Sequence, residues 1–177
     1  MMSRTMTEQA RIRSATTDDA TRISLVANAT FLEAFAGKID GAALVAHCGT
    51  AHAADQIASI LENGGRAWLA ELGGAPIGYA LLTAPDLEAA REGDRELKKI
   101  YLLSRFHGTG VAKDLFEAAV DGAYGFKRLL LGVKNDNHRA IAFYTKQGFE
   151  KIGTRQFDVG GTLYDDVVLA RGLTPFT

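Results

Sequence analysis

Hydrophobic positions in this chain change period several times, and each change marks an element. A short apolar-polar stretch, Arg11–Ser14, reads as a strand and is followed by the helix-capping cluster Thr17-Asp18-Asp19. Ile23, Val26, Ala27, Thr30, Phe31 and Ala34 then recur at helical steps, predicting a helix to about Phe35, which Gly37 punctuates. Two more helical stretches follow near Gly41–His47 and Ala53–Glu62, the second stopped by Asn63-Gly64-Gly65. The period then shortens. Ala67–Leu72 and Ile77–Leu82 are apolar-rich runs separated by Gly73-Gly74, the signature of a hairpin. After a polar excursion over Pro85–Asp94, the pattern predicts a strand at Lys98–Leu103, a helix at Gly108–Val120, a strand at Leu129–Val133 and a helix at Asn137–Gln147. Strands at Phe149–Gln156 and Leu163–Ala170 close the chain about Gly160-Gly161.

This order predicts an α/β fold: a central, twisted mixed sheet flanked by helices. Leu115, Phe116, Ala119, Ile141 and Phe143 are expected to face the core, and Trp68 to pack within a strand. The 177 residues suit one domain, taken as residues 10–171, with a lead over 1–9 and a tail over 172–177. An apolar fraction of 47% and a charged fraction of 23% are those of an ordinary globular protein. Lys plus Arg number 20 and Asp plus Glu 21, so there is no positive field for nucleic acid or an anionic membrane surface. No apolar run reaches the roughly 20 residues that span a bilayer. The polar start lacks a signal-peptide core, and the one cysteine, Cys48, allows no internal disulfide; the cytoplasm is the expected compartment.

Two segments carry chemistry. In Arg105-Phe106-His107-Gly108-Thr109-Gly110, a strand gives way to a helix. Unpaired N–H groups at a helix start suit a pyrophosphate, and glycines admit it close to the backbone. On its own the pattern also fits an ordinary turn before a helix. The second segment places Asn137 at a helix start and Tyr144 seven residues later on the same face, with Gly148-Phe149 ending the helix. Asn137 can cap the helix or bond a cofactor amide; Tyr144 can be a half-buried aromatic or a proton donor to a departing thiolate. His47 and His52 sit five apart, poor spacing for metal ligation from one helix, so no metal is expected.

Taken together and in order, the segments resemble the GNAT acetyltransferase superfamily. Arg105-x-x-Gly108-x-Gly110 is similar to its pyrophosphate loop, and Asn137-x-x-Ala140-x-x-x-Tyr144-x-x-x-Gly148-Phe149 to its second cofactor motif. Thr30-Phe31-Leu32-Glu33-Ala34-Phe35, Leu97-Lys98-Lys99-Ile100-Tyr101-Leu102 and Thr154-Arg155-Gln156-Phe157 look like the branch holding bacterial polyamine N-acetyltransferases. The resemblance implies an enzyme using acetyl-coenzyme A as co-substrate, held in a splay between the Lys98–Leu103 and Leu129–Val133 strands. Pantetheine would pair with backbone near Leu102 and Leu103. The pyrophosphate would lie on Arg105, Phe106, His107, Gly108, Thr109, Gly110 and Val111. Asn137 would bond the pantetheine, Tyr144 face the sulfur, and Lys146 reach a phosphate. Glu96 is the expected base, with Asp94 and Tyr101 as alternatives. Phe31 and Glu33 would contact a small-molecule amine, and Asp165 or Asp166 could attract it. Protein N-terminal or lysine acetylation, or an acyl-coenzyme A sensor, are the alternatives. The C-terminal strands offer an edge for a homodimer.

Overall fold

The computed structural model describes residues 9–173; residues 1–8 of the expected 1–9 lead and residues 174–177 of the expected tail lie outside them. The chain runs β1 (Arg11–Ala15), α1 (Ala20–Phe35), α2 (Gly41–Thr50), α3 (Ala54–Glu62), β2 (Arg66–Leu72), β3 (Ala75–Thr83), β4 (Asp94–Leu102), α4 (Val111–Gly122), β5 (Arg128–Lys134), α5 (His138–Lys146), β6 (Glu150–Val159) and β7 (Thr162–Gly172). The predicted order of elements is the observed one. The seven strands form a single sheet, ordered β1-β2-β3-β4-β5-β7-β6. All neighbours are antiparallel except β4 and β5.

Among the boundaries that differ from the sequence pattern, three have a clear physical reason. The strand expected at Lys98 begins at Asp94. Asp94-Arg95-Glu96 reads as loop because it is charged, yet Asp94 is buried against Arg128, whose Nη2 lies 2.7 Å from its Oδ2. The helix expected from Gly108 begins at Val111, because Gly108 (φ 79°) and Gly110 (φ 89°) occupy left-handed backbone. At the C-terminus, β7 runs to Gly172, and the buried Leu173 donates its N–H to the Lys127 carbonyl at 2.8 Å, so ordered packing continues past residue 171.

Each face of the sheet is covered. On one, Leu115, Phe116 and Ala119 of α4 are buried, as expected, against Leu97, Leu102, Leu129 and Leu131. Helix α5 lies on the same face but has no fully buried residue; Ile141 and Phe143 are half-buried against that core. On the other face, Ile23, Val26 and Ala27 of α1 and Ile57 of α3 pack on Leu69, Tyr79 and Leu81. Trp68 is buried, and its ring takes the space beside Gly122, where a Cβ would stand 2.2 Å from Cζ2.

One irregularity positions everything that follows. Parallel pairing of β4 with β5 is confined to Asp94–Glu96 against Arg128–Leu130. Beyond it, β4 stays on β3 and β5 on β7, so the two strands part in mid-sheet. The β3/β4 register also jumps, from Leu82↔Leu97 to Leu81↔Lys99, a bulge that gives Lys98 no partner. Such a bulge bends its strand and supports the divergence.

Candidate active site

The parted strands leave hydrogen-bonding groups without partners. Leu103 donates its N–H to Ile77 on the β3 side at 2.9 Å. Alternation along an antiparallel strand therefore turns the N–H and C=O of Leu102 and Ile100 toward the gap. The Leu102 carbonyl is met there by His107 Nε2 at 2.9 Å. The imidazole of His107 is thus turned back onto the strand, and only its backbone faces the turn.

After β4 the chain makes one tight turn over Ser104–Phe106 and then the Gly108-Thr109-Gly110 bend. Thr109 closes the bend, donating from Oγ1 to the Phe106 carbonyl at 2.5 Å. The N–H groups of Gly108, Gly110, Val111, Ala112 and Lys113 have no acceptor among the described residues. A Cβ built on Gly108 or Gly110 meets nothing within 4 Å. Consecutive free amides, open space above them and the positive end of α4 make an anion cradle. Arg105 is exposed beside it, its guanidinium 4.7 Å from the Phe106 ring centroid.

Across the gap, Asn137 caps α5, its Oδ1 accepting from the Ala140 N–H at 3.2 Å. The cap uses the carbonyl oxygen alone, and the side-chain NH2 has no partner among the described residues. Tyr144 is half-buried among Phe116, Phe143 and Phe149, with ring centroids at 5.7, 5.4 and 5.6 Å. Burial, aided by Tyr101, pushes its hydroxyl up to about 12, so it stays protonated through the physiological range. Lys146 ends α5, exposed and without an ion-pair partner among the described residues.

The third part lies on the α1 side of the sheet. Glu96 is 2% exposed at the closed end of the gap, with Oε2 3.9 Å from Lys98 Nζ and the Asp86 N–H 3.5 Å from Oε1. Past it, Lys98 and Lys99 line a cavity of ≈ 520 Å³ that also takes in His47, His52, Tyr79 and Ile57. Phe31 stacks on His47 at 4.6 Å and meets His52 edge-on at 5.3 Å. Glu33 is not in this cavity's lining; its carboxylate accepts from the Ser104 N–H and hydroxyl, both at 3.0 Å, tying α1 to the turn after β4.

The sequence reading missed how the histidines meet. Helix α2 ends at Thr50, so His47 and His52 do not share a helix. The chain folds back and sets their rings 5.0 Å apart. Burial, reinforced by Lys99 and His47, holds His52 down to about 4, and burial with Lys99 lowers His47. No group of three or more metal-binding side chains occurs among the described residues. Also unforeseen is the Arg155–Asp166 pair at 2.8 Å, which fits because Gly132 has no side chain; a Cβ there would lie 2.6 Å from Arg155 Nη2. Only the glycine in an otherwise apolar strand hinted at it.

Comparison with known proteins agrees with this geometry. The family model "Acetyltransferase (GNAT) family" matches residues 34–149, which hold the gap, the cradle and the Asn137–Tyr144 helix. Uncharacterised N-acetyltransferases of Mycobacterium bovis and Mycobacterium tuberculosis are 41% identical over 102 residues, 56% of this chain; the match spans 62% of those relatives' length. The rat protein "N-acetyltransferase family 8 member 2" is 31% identical over 62% of this chain and 49% of its own. The PaiA N-acetyltransferase of Thermoplasma acidophilum, solved in complex with coenzyme A, superposes with a TM-score of 0.71 at 17% identity, covering 93% of this chain and 99% of that one. A ribosomal-protein-alanine N-acetyltransferase of Brucella melitensis shares the fold at TM-score 0.69 and 23% identity, over 92% and 99% of the two chains. With the family model covering well over half its length and its motifs lying where the sheet opens, the chain belongs to the GNAT acetyltransferase family.

Proposed function

We propose that this protein transfers the acetyl group of acetyl-coenzyme A to a primary amine of a small molecule by direct attack in a ternary complex. The observation that carries the reading is the set of free amides at Gly108 and Gly110–Lys113, opening onto a gap in the sheet edged by the backbone of Ile100 and the N–H of Leu102. A pyrophosphate suits the first, with Arg105 and Lys146 as outlying charges, and an amide-bearing arm laid along β4 suits the second. Asn137 has a free NH2 for that arm.

The thioester supplies an activated acetyl carbon; the chain supplies positions and protons. The amine nitrogen bonds to the acetyl carbon, the carbon–sulfur bond breaks, and the amine gives up its proton. An alkylamine of pKa about 10.4 is neutral in only about one molecule in 2,500 at pH 7, a deficit of roughly 4.6 kcal/mol. Glu96 stands at the closed end of the gap to take that proton, through water. Tyr144 faces the sulfur. Full proton transfer from a hydroxyl near 12 to a thiolate of ordinary pKa about 8.5 is uphill by roughly 5 kcal/mol. Tyr144 therefore acts as a fixed hydrogen-bond donor to the departing sulfur, whose final proton comes from solvent. The ≈ 520 Å³ cavity beside Glu96 is of small-molecule size, which favours this reading over a protein acceptor.

Thermal unfolding tests the cradle. Coenzyme A at a hundred times its Kd should stabilise the fold by about 2.7 kcal/mol, or about 5–10 °C in a chain this long. Gly110→Glu should remove that shift by placing a carboxylate among the phosphate-binding amides. A wild-type Tm indifferent to coenzyme A sinks the proposal.

A further inference from the structure

We infer that the acceptor carries an anionic oxygen group, a carboxylate or a phosphate, besides its amine, and that Lys99 receives it. The inference rests on the acetyltransferase reading and narrows its substrate. The cavity beside Glu96 is lined by two lysines and two histidines and by no carboxylate. Lys98 has counter-ions, Glu96 at 3.9 Å and Asp86 at 3.8 Å. Lys99 has none within 4 Å among the described residues, and its Nζ lies 5.8 Å from the Tyr101 ring centroid. Lys99 is half-buried, and burial first, then the charges of Lys98 and Arg155, hold its ammonium below the ordinary lysine range against the opposing pull of Glu96 and Asp166.

None of the carboxylates that the sequence offered to a polycation lines the cavity. Glu33 is bound to Ser104. Asp165 accepts from Gln156 Nε2 at 2.9 Å. Asp166, 3% exposed, is paired with Arg155, and its other oxygen is sealed from solvent without a donor. A diamine would therefore bring a second positive charge toward Lys98 and Lys99 with no carboxylate in the cavity lining to meet it. An amine tethered to an anion resolves both charges. Its acidic end neutralises Lys99, while the positive surroundings favour the uncharged, nucleophilic form of the amine. His47 and His52, kept neutral, add no charge, and Tyr79, Ile57 and Leu81 wall the connecting carbons.

Coenzyme A release would be followed with n-butylamine, 1,4-diaminobutane, 4-aminobutanoate and 3-aminopropyl phosphate. The expected kcat/KM is at least about tenfold higher for an anionic acceptor than for butylamine, with the diamine lowest. The carboxylate and phosphate arms identify which oxyacid fits. Lys99→Gln should collapse the anion-to-butylamine ratio toward one, and Lys99→Arg should keep most of it. A preference for the diamine, or a ratio unaltered in Lys99→Gln, overturns the inference. So does a protein that acetylates none of the four while coenzyme A still raises its Tm, an outcome that leaves the coenzyme site standing. Absence of that Tm shift overturns both.

Discussion

At the scale of single residues, burial sets the behaviour of Tyr144 and His52. Because the Tyr144 hydroxyl donates a hydrogen bond rather than delivering its proton, Tyr144→Phe should lower kcat by about 10–100-fold, the worth of one bond to a charged group. The Kd of coenzyme A, measured by calorimetry, should change little. His52 is 6% exposed, and its Nδ1 lies 3.2 Å from Asn28 Oδ1. Its folded pKa, near 4, lies below the unfolded value near 6.5, so the folded state binds fewer protons. Stability from the neutral ring is complete above pH 6.5 and is lost as the pH falls toward 4, by up to about 3 kcal/mol. Urea titrations of wild type and His52→Gln across that window should converge as the pH drops; parallel curves would show that this ring does not titrate as described.

Among the elements, α4 shows how packing reverses a local preference. Alanine outranks glycine in a helix by about 1 kcal/mol, and Gly122 ends α4 with no positive φ to justify it. The reason is Trp68, whose ring stands where a Cβ would go. Gly122→Ala should therefore destabilise the protein by about 1–3 kcal/mol despite its better helix propensity, read as a lower urea midpoint at constant slope. The opposite end of the same helix needs glycine for conformation: Gly110 at φ 89° has open space around it. One residue type thus meets two different demands within α4 and its cap, and only the second is visible in a local motif.

For the molecule as a whole, what could be read from sequence was what is local. The order of strands and helices followed from hydrophobic period, and the Gly108–Gly110 bend and the Asn137–Phe149 segment are contiguous signals. The start of β4 was hidden because Asp94 looks solvated until Arg128, from the neighbouring strand β5, is brought to it. The cavity was equally hidden. Lys99 and His52 are 47 positions apart in sequence, and no periodicity could say that α1, α2 and β4 would converge on one basic pocket. Glu33, plausible for an amine when seen on its helix, turned out to hold the Ser104 turn. The short Asp94–Glu96 seam has a further consequence. A sheet is usually most tightly knit at its centre, but here the two halves share only a stub of ladder, and a bound cosubstrate would act as the missing rung. Capture of the coenzyme and cohesion of the sheet would then rise and fall together.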